Sequence, residues 1–182
     1  MAKQATLPSR LHHNAYVTND MEATRKFYED VIGCRWSRPG AKPTNCSARF
    51  GPIATVSFAL GDGGALAFFQ FARPEDQKEF GPKMPFSPFH HIALNVDAET
   101  QKAIEERIRA AGYKEPDTYV LEHGYCRSVY ITDPNGLTVE FTLDAPKADE
   151  INAERRAKAR EELRKWLAGD HTTNNTYRAE HH

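Results

Sequence analysis

Apolar and polar positions alternate at two places in this chain in nearly the same way. Leu11-His12-His13-Asn14-Ala15-Tyr16-Val17 is echoed by Phe89-His90-His91-Ile92-Ala93-Leu94-Asn95-Val96. Alternation with period two predicts a β-strand in each. A helix-start signal comes after both runs: Asn19 or Asp20 in the first, Asp97 in the second. Such side chains accept bonds from the free amides of a first helical turn. Met21, Phe27, Tyr28 and Val31 then form one apolar helical stripe, and Ala103, Ile104 and Ile108 another. Gly33 and Gly112 stand where a left-handed residue would end each helix. The two strand-helix-cap units, 11–33 and 89–112, are nearly equal in length and predict an internal repeat.

Beyond each helix the pattern reads as strand again. In the first half, Ala54 to Leu60 alternates, Gly61-Asp62-Gly63-Gly64 turns the chain, and Ala65 to Ala72 is strongly apolar. In the second half, Arg127 to Thr132 alternates and Asp133-Pro134-Asn135-Gly136 is a turn in which Pro presets φ and Gly supplies the left-handed position. Leu137 to Leu143 is the strand after it. The proline- and charge-rich stretch 73–88 reads as the linker between halves. Pro146 to Ala168 is charged and helix-forming, with Ile151, Ala159, Leu163, Trp166 and Leu167 on one narrow stripe. It predicts an appended amphipathic helix, docked on the domain or on a second subunit, with a polar tail from Asp170.

Composition narrows the function. The 182 residues carry 24 Lys+Arg against 25 Asp+Glu, a formal charge of -1. That balance argues against nucleic acid or anionic membrane as a partner. No run approaches 18 apolar residues, and Met1 to Arg10 lacks an apolar h-region, so neither a membrane span nor a signal peptide is read. Three scattered cysteines, Cys34, Cys46 and Cys126, fit a reducing cytoplasm and lack zinc-ribbon spacing. The distinctive count is eight histidines, with adjacent pairs at 12–13, 90–91 and 181–182. The terminal pair reads equally as native or as a tag remnant.

Strand alternation separates the histidines of each internal pair. Ile92, Leu94 and Val96 share the face that packs under a helix; His91, Ala93 and Asn95 share the other. In the last strand, Leu137, Val139, Phe141 and Leu143 form the core face and Thr138, Glu140 and Thr142 the opposite one. His13 matches His91 in the repeat. Were the repeats to form one curved sheet, His13, His91 and Glu140 would converge on its concave face. Two imidazoles and a carboxylate make the facial triad that holds Fe(II) with open positions; Mn, Ni, Co or Zn suit a similar set. His12 and His90 point to the other face and read as structural.

These motifs resemble the vicinal oxygen chelate superfamily, which groups glyoxalase I, bleomycin-resistance proteins, methylmalonyl-CoA epimerase and type I extradiol dioxygenases. The residues that carry the resemblance are His-Asn-Ala-Tyr-Val-Thr-Asn-Asp (13–20), Phe27-Tyr28 with Gly33, His-Ile-Ala-Leu-Asn-Val (91–96) and Asp-Pro-Asn-Gly-Leu-Thr-Val-Glu-Phe (133–141), within about residues 10 to 144. It implies an α+β fold of two βαβββ modules forming a curved mixed sheet around a metal site, with a C-terminal amphipathic helix. The expected domain spans 10–145 (modules 10–72 and 89–145), followed by a helix and tail, 146–182. It implies metal ligands at His13, His91 and Glu140. Glyoxalase-like members carry a further acid, for which the expected position is Phe68, with Gln70 a weak substitute. Three protein ligands are the count of the extradiol dioxygenases.

Those enzymes place a tyrosine ahead of the last ligand, as Tyr130 precedes Glu140, so Tyr130 is a candidate catalytic residue. His123, in the loop before that strand, is the second, as an acid or base titrating near neutrality. Phe50, Phe58, Phe68 and Trp36 are candidates for a pocket wall or for core. The upstream histidine base of extradiol enzymes has no counterpart in 51–88. The expected activity is Fe(II)-dependent ring cleavage of a small catechol-like aromatic diol by dioxygen, in a cytoplasmic homodimer. The alternatives are a lyase, isomerase or epimerase using a divalent metal, and a metal-free drug-binding resistance protein.

Overall fold

The computed structural model describes residues 10–36, 51–83, 87, 89–173 and 175–177. The chain divides into two compact units, Met1–His90 with Thr132–Leu137, and His91–Ile131 with Thr138–His182. The fold is α+β, and each unit carries one four-stranded mixed sheet. Cys46, Phe50, His181 and His182 lie outside the described residues.

The first unit runs β1 (His13–Val17), α1 (Met21–Arg25), a π-helical segment (Lys26–Ile32), β2 (Arg35–Trp36), β3 (Ile53–Ala59), β4 (Ala65–Phe71) and α2 (Pro74–Phe80). Its strand order is β1-β4-β3-β2, with β1 parallel to β4 and the remaining pairs antiparallel. Asp20 is the N-cap of α1, accepting from the Ala23 amide at 2.9 Å. The helix ends at Gly33, φ +87°, where glycine alone avoids a Cβ clash. The expected stripe shifts: Thr24, Phe27, Tyr28 and Ile32 are the buried positions. The wider i→i+5 turn rotates the later residues out of the 3.6-residue register.

Tyr28 centres this unit's core. Its ring stacks 5.0 Å from Phe58 and lies 4.8 Å from Phe68. Phe58 and Phe68 are therefore fully buried core residues, and Phe68 also borders a small cavity. Such ring pairs contribute about 0.5–1.5 kcal/mol each beyond area burial. A buried phenol also needs a polar partner, and the Tyr28 hydroxyl donates to Asp133 at 3.1 Å. Asp133 opens the turn expected from Asp-Pro-Asn-Gly: its carboxylate accepts from the amides of Asn135 and Leu137, and Gly136 takes φ +85°. Asn135 reaches Thr24 at 3.2 Å, and Thr24 bonds Thr18 at 2.8 Å.

The stretch expected as a linker holds α2. Pro74 at the first helical position, with Glu75 and Asp76 in the first turn, suits a helix start. Gln77 ties it down, accepting from the Phe71 amide and donating to the Thr18 carbonyl and the Asn19 side chain.

The second unit runs β5 (His91–Asn95), α3 (Ala98–Ala110), β6 (Thr118–Glu122), β7 (Cys126–Thr132), β8 (Thr138–Asp144) and α4 (Ala148–Leu167). Its strand order, β5-β8-β7-β6, mirrors the first unit, again with the opening strand parallel to the last. Each module is thus βαβββ. Asp97 caps α3 by accepting from the Thr100 amide at 2.8 Å. Ile104 and Ile108 face the core, and buried Gln101 donates to the carbonyls of Arg127 and Phe141, pinning α3 to the sheet. In α4 only Ala148 and Ile151 are buried. Leu163, Trp166 and Leu167 of the expected stripe are exposed, although the Trp166 ring meets His171 at 4.2 Å. No described helix is long and apolar enough to cross a membrane.

Candidate metal and catalytic site

Pairing register fixes which side chains share a face. In the second unit His91 pairs Thr138 and Ala93 pairs Glu140. His91 and Glu140 therefore project from the same side of adjacent strands, and their Nε2 and Oε2 lie 2.9 Å apart. Glu140 is 6% exposed, whereas His91 keeps an open edge. A buried carboxylate must have partners, and an imidazole nitrogen beside it is also a metal-ligand donor set.

Tyr130 of β7 joins this face. Its ring meets His91 edge-on at 5.8 Å and stacks on Tyr119 of β6 at 4.8 Å, with only 14° between planes. Burial, then the Glu140 charge, pushes the Tyr130 phenol above its ordinary range, so it remains a neutral donor. Tyr119 is raised for the same two reasons. His123, in the turn between β6 and β7, brings Nε2 to 3.0 Å from the Tyr130 hydroxyl. Four of the five predicted site residues, His91, Glu140, Tyr130 and His123, thus form one chain of contacts.

His13 belongs to the first unit. It opens β1, exposed, paired with Ala65. Its Nδ1 lies 2.9 Å from Nδ1 of His12. His12 thus lies against its neighbour's ring instead of pointing to the other face, because it precedes β1 and is outside strand alternation. Such a bond needs one ring to donate and the other to accept, and it leaves Nε2 of His13 to other partners. His90 is exposed; its amide bonds the Ser87 carbonyl. Within either unit, no three His, Cys, Asp or Glu side chains gather as a metal cluster among the described residues.

The registers also correct the expected fourth position. Ala15 pairs Ala67 as Ala93 pairs Glu140, so Ala67, not Phe68, corresponds to Glu140. Gln70 lies on the face opposite Ala67. It accepts from the Met21 amide at 3.1 Å and donates to the Asn19 carbonyl, satisfying the start of α1. Neither position supplies a carboxylate.

Tyr119 is absent from the residues expected at the site because its strand, β6, is not among those the alternation predicts. The period-two pattern of Tyr119 and Leu121 is the signal that points to it. A small cavity of about 180 Å³ in the first unit, lined by Tyr16, Phe68, Phe80 and Leu137 among others, has no His, Asp or Glu wall.

The model of the Glyoxalase/Bleomycin resistance protein/Dioxygenase superfamily matches residues 10–141. Among solved structures, the chain is similar to a glyoxylase/bleomycin resistance protein/dioxygenase domain from Frankia sp. EAN1pec, at 16% identity and TM-score 0.54, over 78% of this chain and 95% of that one. It is similar to the oxidase ChaP-H2 at 22% identity and TM-score 0.52, over 75% and 94%. A variant of the fosfomycin resistance protein FosX from Listeria monocytogenes, complexed with Mn(II) and 1S,2S-dihydroxypropylphosphonic acid, is 18% identical with TM-score 0.54, over 79% and 98%. At these identities the likeness speaks for the fold. No curated protein sequence matches the chain.

Proposed function

Because the chain belongs to the glyoxalase/bleomycin resistance protein/dioxygenase superfamily, we propose that it is a metal-dependent dioxygenase that opens the ring of a small catechol-like diol. The observation that carries this reading is the contact chain Glu140–His91–Tyr130–His123, its first three members on one sheet face and His123 in the turn beside it. Neutral imidazole and carboxylate donors fit a divalent metal, with Fe(II) foremost and Mn, Ni, Co or Zn as substitutes. His91 and Glu140, which lie 2.9 Å apart, would hold it. When bound, the metal supplies Lewis acidity and a template for vicinal oxygens.

The chain's own residues do the rest. Tyr130, a neutral phenol at physiological pH, donates to a substrate oxygen. His123, as the tautomer protonated at Nε2, donates to that phenol oxygen and holds it so that its single proton points at the substrate. Tyr119, stacked behind Tyr130, limits ring motion and excludes water. The net reaction breaks one ring carbon–carbon bond beside the diol and places both dioxygen atoms in the product.

The absence of a carboxylate at Ala67 is why a dioxygenase is preferred to a lyase or isomerase, which would want an additional acid or base. A homodimer fits the exposed Leu163, Trp166 and Leu167 of α4.

The test is metal analysis of protein purified without oxygen, then oxygen uptake with a panel of catechols. Iron content, catechol-dependent uptake and a yellow ring-fission product are expected. No uptake by fully iron-loaded protein overturns the reading.

A further inference from the structure

The family match ends at residue 141, yet the segments beyond it reach back to His123. Nδ2 of Asn175, in the tail, donates to the His123 carbonyl at 3.4 Å. Oδ1 of Asn175 accepts from Nη2 of Arg155, on α4, at 2.7 Å. The Arg155 guanidinium also lies 4.6 Å over the ring of Tyr125 and 5.5 Å over that of Tyr177. The Tyr125 carbonyl accepts from the Ala145 amide at 2.8 Å. Tyr177 in turn bonds Glu154, which pairs with Lys158. Arg155 therefore grips both ends of the 123–125 turn: His123 through Asn175, and Tyr125 through its ring face.

That grip matters because His123 is in a turn, not in a strand. Gly124 beside it takes φ +82°, and a cleft of about 550 Å³ opens where His123, Tyr125, Arg155, Lys158, Asn175 and Tyr177 meet. An imidazole on a solvent-lined turn samples several rotamers unless its backbone is held. Here it is held so that Nε2 meets the Tyr130 hydroxyl at 3.0 Å.

We propose that Arg155, acting through Asn175 and Tyr125, is a positioning residue that fixes the His123 imidazole against Tyr130. Its value to catalysis rests on the roles given above to Tyr130 and His123, whereas the positioning itself can be measured without turnover. Arginine is required for its planar guanidinium, which covers a ring and donates from its edge; lysine offers only a point charge.

The experiment tracks the ¹⁵N signals of the His123 ring in the full chain and in the Arg155→Ala, Arg155→Lys and Asn175→Ala variants. Arg155 lies on a solvated helix and Asn175 in the tail, so each variant keeps its fold. In the parent chain the ring is expected in one tautomer, bonded at Nε2. In Arg155→Ala its signals move to the averaged values of a free imidazole, Arg155→Lys does not rescue them, and Asn175→Ala shifts them part of the way. With a catechol substrate, kcat falls about tenfold in Arg155→Ala while KM and bound metal stay the same, as expected for a misplaced group. Ring signals in Arg155→Ala and Asn175→Ala identical to the parent's overturn the proposal. Absence of catechol turnover by the parent chain would fell the dioxygenase reading, and the ring signals would still decide this one.

Discussion

The imidazole of His123 meets the phenol of Tyr130 at 3.0 Å, although one residue stands in a turn and the other inside a buried strand. The pair is expected to act as a unit. Tyr130→Phe and His123→Ala should each lower kcat about a hundredfold, within the range of general acid–base contributions. The double variant should lose little more than the worse single one, since coupled residues are not additive. Additive losses in steady-state kinetics would separate the two roles.

Glu140→Ala removes the carboxylate beside His91 and should abolish retention of the metal. In the parent chain, adding Fe(II) or Mn(II) should raise the melting temperature, because a ligand bound only by the folded state stabilises it by about 2.7 kcal/mol at one hundred times Kd. Glu140→Ala should show no rise in a thermal-shift assay, and a normal rise would remove Glu140 from the ligand set.

Tyr130 should titrate later than an ordinary tyrosine, because burial and the Glu140 charge both penalise its phenolate. A raised folded value means that the unfolded chain releases this proton first. The contribution to stability is therefore complete below about pH 10 and is lost as pH rises through the folded value. Tyr28 and Tyr119 are raised as well, so absorbance near 295 nm should show a late-titrating group of phenols that is smaller by one in Tyr130→Phe.

Asp133 is pushed above the ordinary aspartate value by burial, with the amides of Leu137 and Asn135 opposing. The folded state thus holds its proton where the unfolded state has lost it. Stability from this site is complete below about pH 3.9 and declines as pH rises through the folded value. Asp133→Asn should flatten that decline in melting temperature against pH. At acid pH, where the parent carboxyl is neutral too, the substitution should cost little, because the Tyr28 hydroxyl can accept from the new amide.

Most of the frame was legible because it rests on local rules. Period-two alternation located β1, β5, β7 and β8, and caps at Asp20, Asp97, Gly33 and Gly112 bounded the helices. The facing of His91 and Glu140 comes from the same alternation. The illegible part depends on pairing. Without the register, Ala67 could not be distinguished from Phe68 as the partner position of Glu140. Gln70 looked like a spare ligand because its bonds go to a helix start nearly fifty residues away in sequence. α2 was hidden by its proline, which reads as a linker unless the acidic residues after it are weighed. The π-helical turn leaves no period that a 3.6-residue template can detect. The closeness of Tyr119 to Tyr130 needed the β6–β7 pairing.

The Tyr28–Asp133 bond spans 105 positions of sequence. On the ribosome, the first half of the chain is finished long before residue 133 emerges. Until then the Tyr28 hydroxyl has no carboxylate to meet. A nascent chain stalled near residue 90 should therefore be a protease-sensitive collapsed form, and its protection should arrive only once the 132–137 turn clears the exit tunnel.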